Sequence, residues 1–142
     1  MRRLLIDTNV YIDWINSRWH EDVVFQRDAV KYLSSVVLME LRAGARSASD
    51  RRLVRQVEVP FEKAGRIVVP SQTVFADAGD TLRRLRTVRG HQIVANPSIV
   101  GDVLIALSAR SIGATVVTQN ERDFRAIQTI RPFPLLVVTR SS

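Results

Sequence analysis

An apolar run near the start of the chain is cut short by an acid. Leu4-Leu5-Ile6 leads directly into Asp7-Thr8-Asn9. Such a run reads as a buried strand that carries a carboxylate to the edge of a sheet. In open α/β sheets, ligand sites lie outside the carboxyl ends of the strands. If other isolated acids converge on Asp7, they form a divalent-metal site, and nuclease chemistry is what such a site most directly serves.

The rest of the chain alternates strand and helix. After the strand Leu4 to Asp7, a helix holds Val10, Ile12, Trp14 and Ile15, and a second helix is expected from about Glu21 to Lys31. Tyr32 to Val36 reads as a short strand and Val37 to Ala45 as a helix closing near Gly44. Ser49-Asp50 is placed to cap a helix running toward Val57, which Pro60 should kink or end. Arg66 to Val69 is a strand stopped by Pro70, and Ser71 starts a helix that Gly90 ends. A loop from His91 to Pro97 follows. Ser98 then opens a strongly apolar helix through Ser111, closed by Gly113. Ala114 to Thr118 and Leu135 to Val138 are the last strands. This order predicts a parallel sheet covered by helices on both faces. Residues 1–142 are expected to form one domain with a loose tail over about 139–142.

Composition excludes several classes. Cysteine is absent, which removes disulfides and thiolate metal sites and fits a reducing cytoplasm. No stretch approaches the roughly 20 apolar residues that a membrane span requires. The formal charge is +7, and Lys31 and Lys63 are the only lysines. Arginine's planar fork suits phosphate, and a basic chain accumulates near RNA or DNA. An arginine-favouring genome would leave the same mark, so charge alone does not decide.

Most of the fourteen acids lie where a solvated helix face would put them. Four do not. Asp7 ends the first strand, where capping the next helix is the competing explanation. Glu40 interrupts Val36-Val37-Leu38-Met39-Glu40-Leu41, and a lone buried carboxylate is costly unless paired or bound to a cation. Its competing explanation is a polar face that continues through Arg42. Asp102 is the one acid in an otherwise greasy helix; dipole compensation explains its place near the N-terminus but not its retention. Asp123 follows the strand ending at Thr118, and an ordinary turn capped by Asn120 accounts for it locally. The joint placement of the four says more than any one of them.

Four segments together resemble the PIN-domain ribonucleases, in particular the VapC-type toxins of bacterial toxin–antitoxin pairs. They are Leu5-Ile6-Asp7-Thr8-Asn9, Met39-Glu40-Leu41-Arg42-Ala43-Gly44, Asp102-Val103-Leu104-Ile105-Ala106 and Thr118-Gln119-Asn120-Glu121-Arg122-Asp123-Phe124. The resemblance implies a three-layer α/β/α sandwich around a parallel sheet, with clustered acids binding Mg²⁺ or Mn²⁺. Carried over by position, Asp7, Glu40 and Asp102 match the best-defined acids, with Asp123 as the fourth and Asn120 as its rival. Thr8, Asn9 and Thr118 would support these ligands. The likeness also implies an RNA substrate, a cognate antitoxin that covers the site, and a homodimer.

Arg42, Arg84 and Arg122 are candidate phosphate contacts, alongside Arg46, Arg83, Arg86, Arg89, Arg125 and His91. A solvated face with helix pairs such as Asp80 with Arg84 is the plainer explanation. Trp14, Trp19 and His20 read as packing or surface residues. Rival chemistries fit less well. A haloacid dehalogenase-type phosphatase wants Asp-x-Asp, where Asn9 stands; a receiver domain wants a late lysine, and only Arg140 is present. Phosphate-cradling glycine loops and a Gly-x-Ser-x-Gly elbow are missing. A PIN-like module that binds RNA or protein without cutting, and an RNA-processing nuclease with no toxin role, remain as alternatives.

Overall fold

The computed structural model describes residues 1–89 and 97–140. Five parallel strands form one sheet: β1 (Arg2–Ile6), β2 (Ala29–Ser34), β3 (Ile67–Val68), β4 (Thr115–Thr118) and β5 (Leu135–Val137). Their spatial order is β3-β2-β1-β4-β5. Leu4, Leu5 and Ile6 pair with Thr115, Val116 and Val117 of β4 on one side, and Arg2 to Leu5 pair with Ala29 to Tyr32 of β2 on the other. Leu4, Leu5 and Ile6 are all fully buried. Successive strand residues point to opposite faces, so both faces of the sheet must be covered. Each such side chain contributes about 1.5–3 kcal/mol of burial.

The helices are α1 (Thr8–Ser17), α2 (Glu21–Val24), α3 (Ser35–Gly44), α4 (Ala48–Ala64), α5 (Gln72–Arg89), α6 (Ile99–Ser111) and α7 (Glu121–Gln128). α1 packs with α2, α3 and α4, while α6 packs with α5 and α7. The result is the three-layer α/β/α sandwich expected from the alternation. The chain builds outward from β1 through β2 to β3, then crosses back to place β4 on the other side of β1. That reversal makes the crevice above β1 and β4 the topological switch point, where open α/β sheets bind ligands. Among the described residues, no helix is long and apolar enough to cross a membrane.

Several boundaries differ from the sequence expectation. The helix expected to reach Lys31 stops at Val24, because Ala29, Val30 and Lys31 are claimed by pairing with β1. α3 begins at Ser35, two residues early, since the Ser34 hydroxyl accepts from the Val36 and Val37 amides. The cap of α4 is Ser47, not Ser49 or Asp50; its hydroxyl accepts from the Asp50 amide. α4 then runs through Pro60 to Ala64. Gln56 and Pro60 both lie on its exposed side, where a carbonyl without its helical donor can turn to water. Arg140 is not loose: its guanidinium donates to both carboxylate oxygens of buried Asp13, at 2.7 and 2.6 Å. Residues 141–142, Gly90, His91 and most of the expected 91–97 loop lie outside the described residues.

Candidate active site at the sheet edge

Asp7 leaves the C-terminal end of β1 with its amide bonded to the Val117 carbonyl at 2.8 Å. The strand pairing therefore sets its position. Its side chain caps α1, accepting from the Thr8 amide at 2.8 Å, and its other oxygen accepts from the Thr118 hydroxyl at 2.7 Å. Capping and site membership are thus compatible roles for one carboxylate. Thr118 ends β4 and is fully buried. Its hydroxyl oxygen also accepts from the Asn120 amide at 2.9 Å and the Asn9 side-chain amide at 3.4 Å.

Glu40 comes from α3 and accepts from the Thr8 hydroxyl at 2.6 Å. It approaches Gly101 in the first turn of α6: a Cβ there would stand 3.2 Å from a Glu40 carboxylate oxygen. Glycine in a helix costs about 1 kcal/mol relative to alanine, and the close approach accounts for its use. Asp102 follows on α6, with the Asn120 amide donating to it at 3.3 Å. The same amide group donates to Asp123 at 3.0 Å, while the Asn120 carbonyl accepts from the Asp123 backbone amide. Asn120 is therefore both the cap of α7 and the bridge between two acids.

Asp7, Asp102 and Asp123 are buried and Glu40 is half-buried. Burial pushes the Asp102 carboxyl up to about 8, and the charges of Asp7, Asp123 and Glu40 add to the shift. Asp7 is raised to about 6, again mainly by burial and then by Glu40, against the opposing hydrogen bonds from Thr118, Thr8 and Asn9. Among the described residues, no basic side chain contributes to either shift. The four acids from distant segments therefore share one electrostatic environment.

Among the described residues, no three acids or histidines are drawn together as a ready-made cage for an ion. The donor set nevertheless fits a hydrated Mg²⁺, which is held through one or two carboxylates and keeps several waters. Asp102 and Asp7, raised by burial and then by neighbouring carboxylates, are the groups a cation would relieve most.

The arginines behave differently. Arg42 is engaged: one of its nitrogens lies 2.7 Å from each oxygen of buried Glu58. Arg84 is exposed on α5, and Asp80 pairs with Arg83, not with Arg84 as expected. Arg122 is exposed at the start of α7, beside Asp123 in sequence. Among the described residues, Arg42 bonds Glu58, and no hydrogen bond joins Arg42, Arg84 or Arg122 to Asp7, Glu40 or Asp102.

Two contributors were not anticipated. Gln119 locks Asn9: its backbone amide donates to the Asn9 side-chain carbonyl and its side-chain amide to the Asn9 backbone oxygen, each at 3.2 Å. Gly101 is the other; a glycine in the first turn of so apolar a helix was the available signal.

The PIN domain family matches residues 4–129, nearly the whole chain. The chain belongs to the PIN-domain family. Solved structures agree in fold. A chain of the DNA-bound VapBC from Salmonella typhimurium is 25% identical, with a TM-score of 0.71 and 96% and 98% of the two chains covered. VapBC-1 from nontypeable Haemophilus influenzae is 24% identical, with a TM-score of 0.68 and 95% and 97% covered. VapBC2 from Rickettsia felis, bound to a promoter DNA fragment, is 22% identical, with a TM-score of 0.67 and 96% and 99% covered. No curated protein sequence matches significantly.

Proposed function

We propose that this PIN domain is a Mg²⁺- or Mn²⁺-dependent endoribonuclease of the VapC type, the toxin of a toxin–antitoxin pair. The observation that carries the reading is the gathering of Asp7, Glu40, Asp102 and Asp123 at the switch point. Asp7 and Asp102 would hold the ion. When bound, the ion supplies neutralisation of the phosphodiester charge and a lowered pKa for its water. Glu40, half-buried and steadied by Thr8, is placed to accept a proton from an attacking water. Asp123 is aligned by Asn120 and contributes through water, and Thr118 keeps the Asp7 carboxylate turned toward the crevice. Hydrolysis of this kind leaves a 3′-hydroxyl and a 5′-phosphate.

The VapBC assemblies among the structural neighbours support a cognate antitoxin as partner. A homodimer and a cytoplasmic location complete the proposal. Arg122 and Arg84 remain exposed and available to phosphate, whereas Arg42 would first have to leave Glu58. The test is cleavage of a labelled panel of structured RNAs in Mg²⁺ or in EDTA, by the wild type and Asp102→Asn. Cutting that needs both the ion and Asp102 is expected. RNA retention without metal-dependent cutting would assign the chain to a non-catalytic binding module. A small upstream reading frame for a DNA-binding protein would separate a toxin from an RNA-processing nuclease.

A further inference from the structure

A second recess adjoins the acid crevice through Glu40. It has a volume of about 100 Å³ and lies between α1, α3 and α4. Its walls are apolar, from Ile12, Ile15, Leu41 and Val54, and Asn16 and Asp50 supply polar groups. Ile12 is 40% exposed, so its side chain is accessible at the mouth of the recess. At about 100 Å³ it is smaller than the roughly 150 Å³ cavity that admits a whole benzene ring, so it takes the edge of a planar base and not the entire base.

The slot is continuous with a basic groove. Ala45 and Val54 line both, and the groove of about 310 Å³ also carries Arg42, Arg51 and Arg55. Carboxylates, an apolar slot and guanidinium groups thus follow one another along α3 and α4. A single-stranded nucleotide has the matching order: a phosphate at the ion, a flat base beside it, and another phosphate beyond. Unpaired bases are commonly read by apolar contact and by hydrogen bonds to the Watson–Crick edge.

We propose that this slot holds the edge of the nucleobase adjacent to the scissile phosphate and selects guanine. The inference rests on the nuclease reading above for the identity of the neighbouring phosphate. Asp50 carries a carboxylate, which only accepts when ionised. Guanine presents two adjacent donors, N1–H and the exocyclic amine. Adenine and cytosine offer one amine beside a ring acceptor, and uracil sets its single N–H between two carbonyls. Asn16 can serve the remaining carbonyl of guanine. Asp50 also lies in the first turn of α4, where an acid suits the helix dipole. That role is indifferent to the base bound nearby.

The test uses the full chain with Mg²⁺ and oligonucleotides whose 3′-bridging oxygens are replaced by methylene groups, so that each phosphonate keeps its charge and nothing is cut. Single-stranded tetranucleotides differing at one position are titrated while the methyl NMR signals of Ile12, Ile15 and Val54 are followed. The guanine oligonucleotide is expected to shift these signals and to bind roughly tenfold or more tightly than its uracil counterpart, as one bidentate pair provides. Asp50→Asn removes that preference. Gly44→Phe is the second variant: Gly44 lines the slot, and a Cβ there meets nothing within 4 Å. It should abolish the methyl shifts while the rise in melting temperature with Mn²⁺ persists. Equal affinity for all four bases, silent methyls, or shifts unchanged by Gly44→Phe would overturn the proposal. So would shifts produced by a co-purified protein partner and by no oligonucleotide. Because binding is read without cleavage, the two readings fail separately. Slot binding without metal-dependent cutting sinks the nuclease, and cutting without base preference sinks the slot.

Discussion

Two buried aspartates on and beside α1 meet opposite fates. Asp13 is gripped by Arg140 from the far end of the chain, and that hydrogen-bonded partner holds its carboxyl below the usual range. Asp7, six residues earlier, faces Glu40 and Asp102 and is raised to about 6. Both are largely hidden from water. Burial is the chief cause of the rise at Asp7, followed among the raising causes by the Glu40 charge, whereas at Asp13 the Arg140 hydrogen bond outweighs burial. The fold gives the first charge a cation of its own and sets the second among other carboxylates. Clustered acids with raised pKa values in a crevice are the pattern expected where function, not stability, sets the residues.

The largest expected effect tests that contrast on the side of the acid cluster. Asp102→Asn should lower metal-dependent RNA cleavage by at least about 100-fold, since loss of mere supporting groups around a metal costs about 10–100-fold. The folded state should be retained, as judged by a cooperative melt, because the substitution relieves repulsion. Thr118→Val keeps the shape of a fully buried residue but removes the hydroxyl that orients Asp7. Its cleavage rate should fall by about 10-fold or more, measured at saturating Mg²⁺. Gly101→Ala should act more weakly, by several-fold at most. The new methyl group displaces the Glu40 carboxylate by a few tenths of an ångström, while α6 gains up to about 1 kcal/mol of helix propensity. Activity and thermal stability should thus move in opposite directions.

The compensated side should respond in stability. Asp13→Asn should cost about 1–2 kcal/mol in chemical denaturation, less than the roughly 3–5 kcal/mol for breaking a fully buried pair, because the Arg140 side chain is 64% exposed. Its cleavage should stay far closer to wild type than that of Asp102→Asn. An equal loss of activity in both variants would dissolve the distinction between the two regions.

Much of this arrangement could be read from local pattern. Leu4-Leu5-Ile6 before Asp7, and a lone Asp102 in an apolar helix, carry their meaning within a few residues. β2 could not be placed so well. Ala29, Val30 and Lys31 become strand because β1 offers them partners, a fact absent from their own neighbourhood. The Asp13–Arg140 pair spans 127 positions and left no local trace. Gly101 lies between. Its cost to the helix was visible, but its reason, the nearby Glu40 carboxylate, required the packing of α3 against α6. Asn120 shows a related limit: a good capping residue is also a good bridge, and only the structure shows it doing both.

The acid crevice also sets a pH dependence of definite sign. In the metal-free protein, Asp7 and Asp102 bind protons more tightly when folded than when unfolded, with values raised from 3.8 to about 6 and about 8. Stability supplied by their protonated forms is therefore lost as pH rises from about 4 through 8. Asp13 works the other way, losing its contribution only as pH falls below the ordinary carboxylate range. A divalent ion held by these carboxylates, as proposed, would take the place of the protons and stabilise the native state by preferential binding.

The decisive measurement is the melting temperature against pH, in EDTA and in Mn²⁺, for the wild type, Asp7→Asn and Asp102→Asn. The wild type should lose stability between pH 5 and about 8 in EDTA and recover it on adding Mn²⁺, whereas each variant should show a flatter profile and a diminished response to the ion. A Mn²⁺ response of the same size in all three proteins would contradict the account.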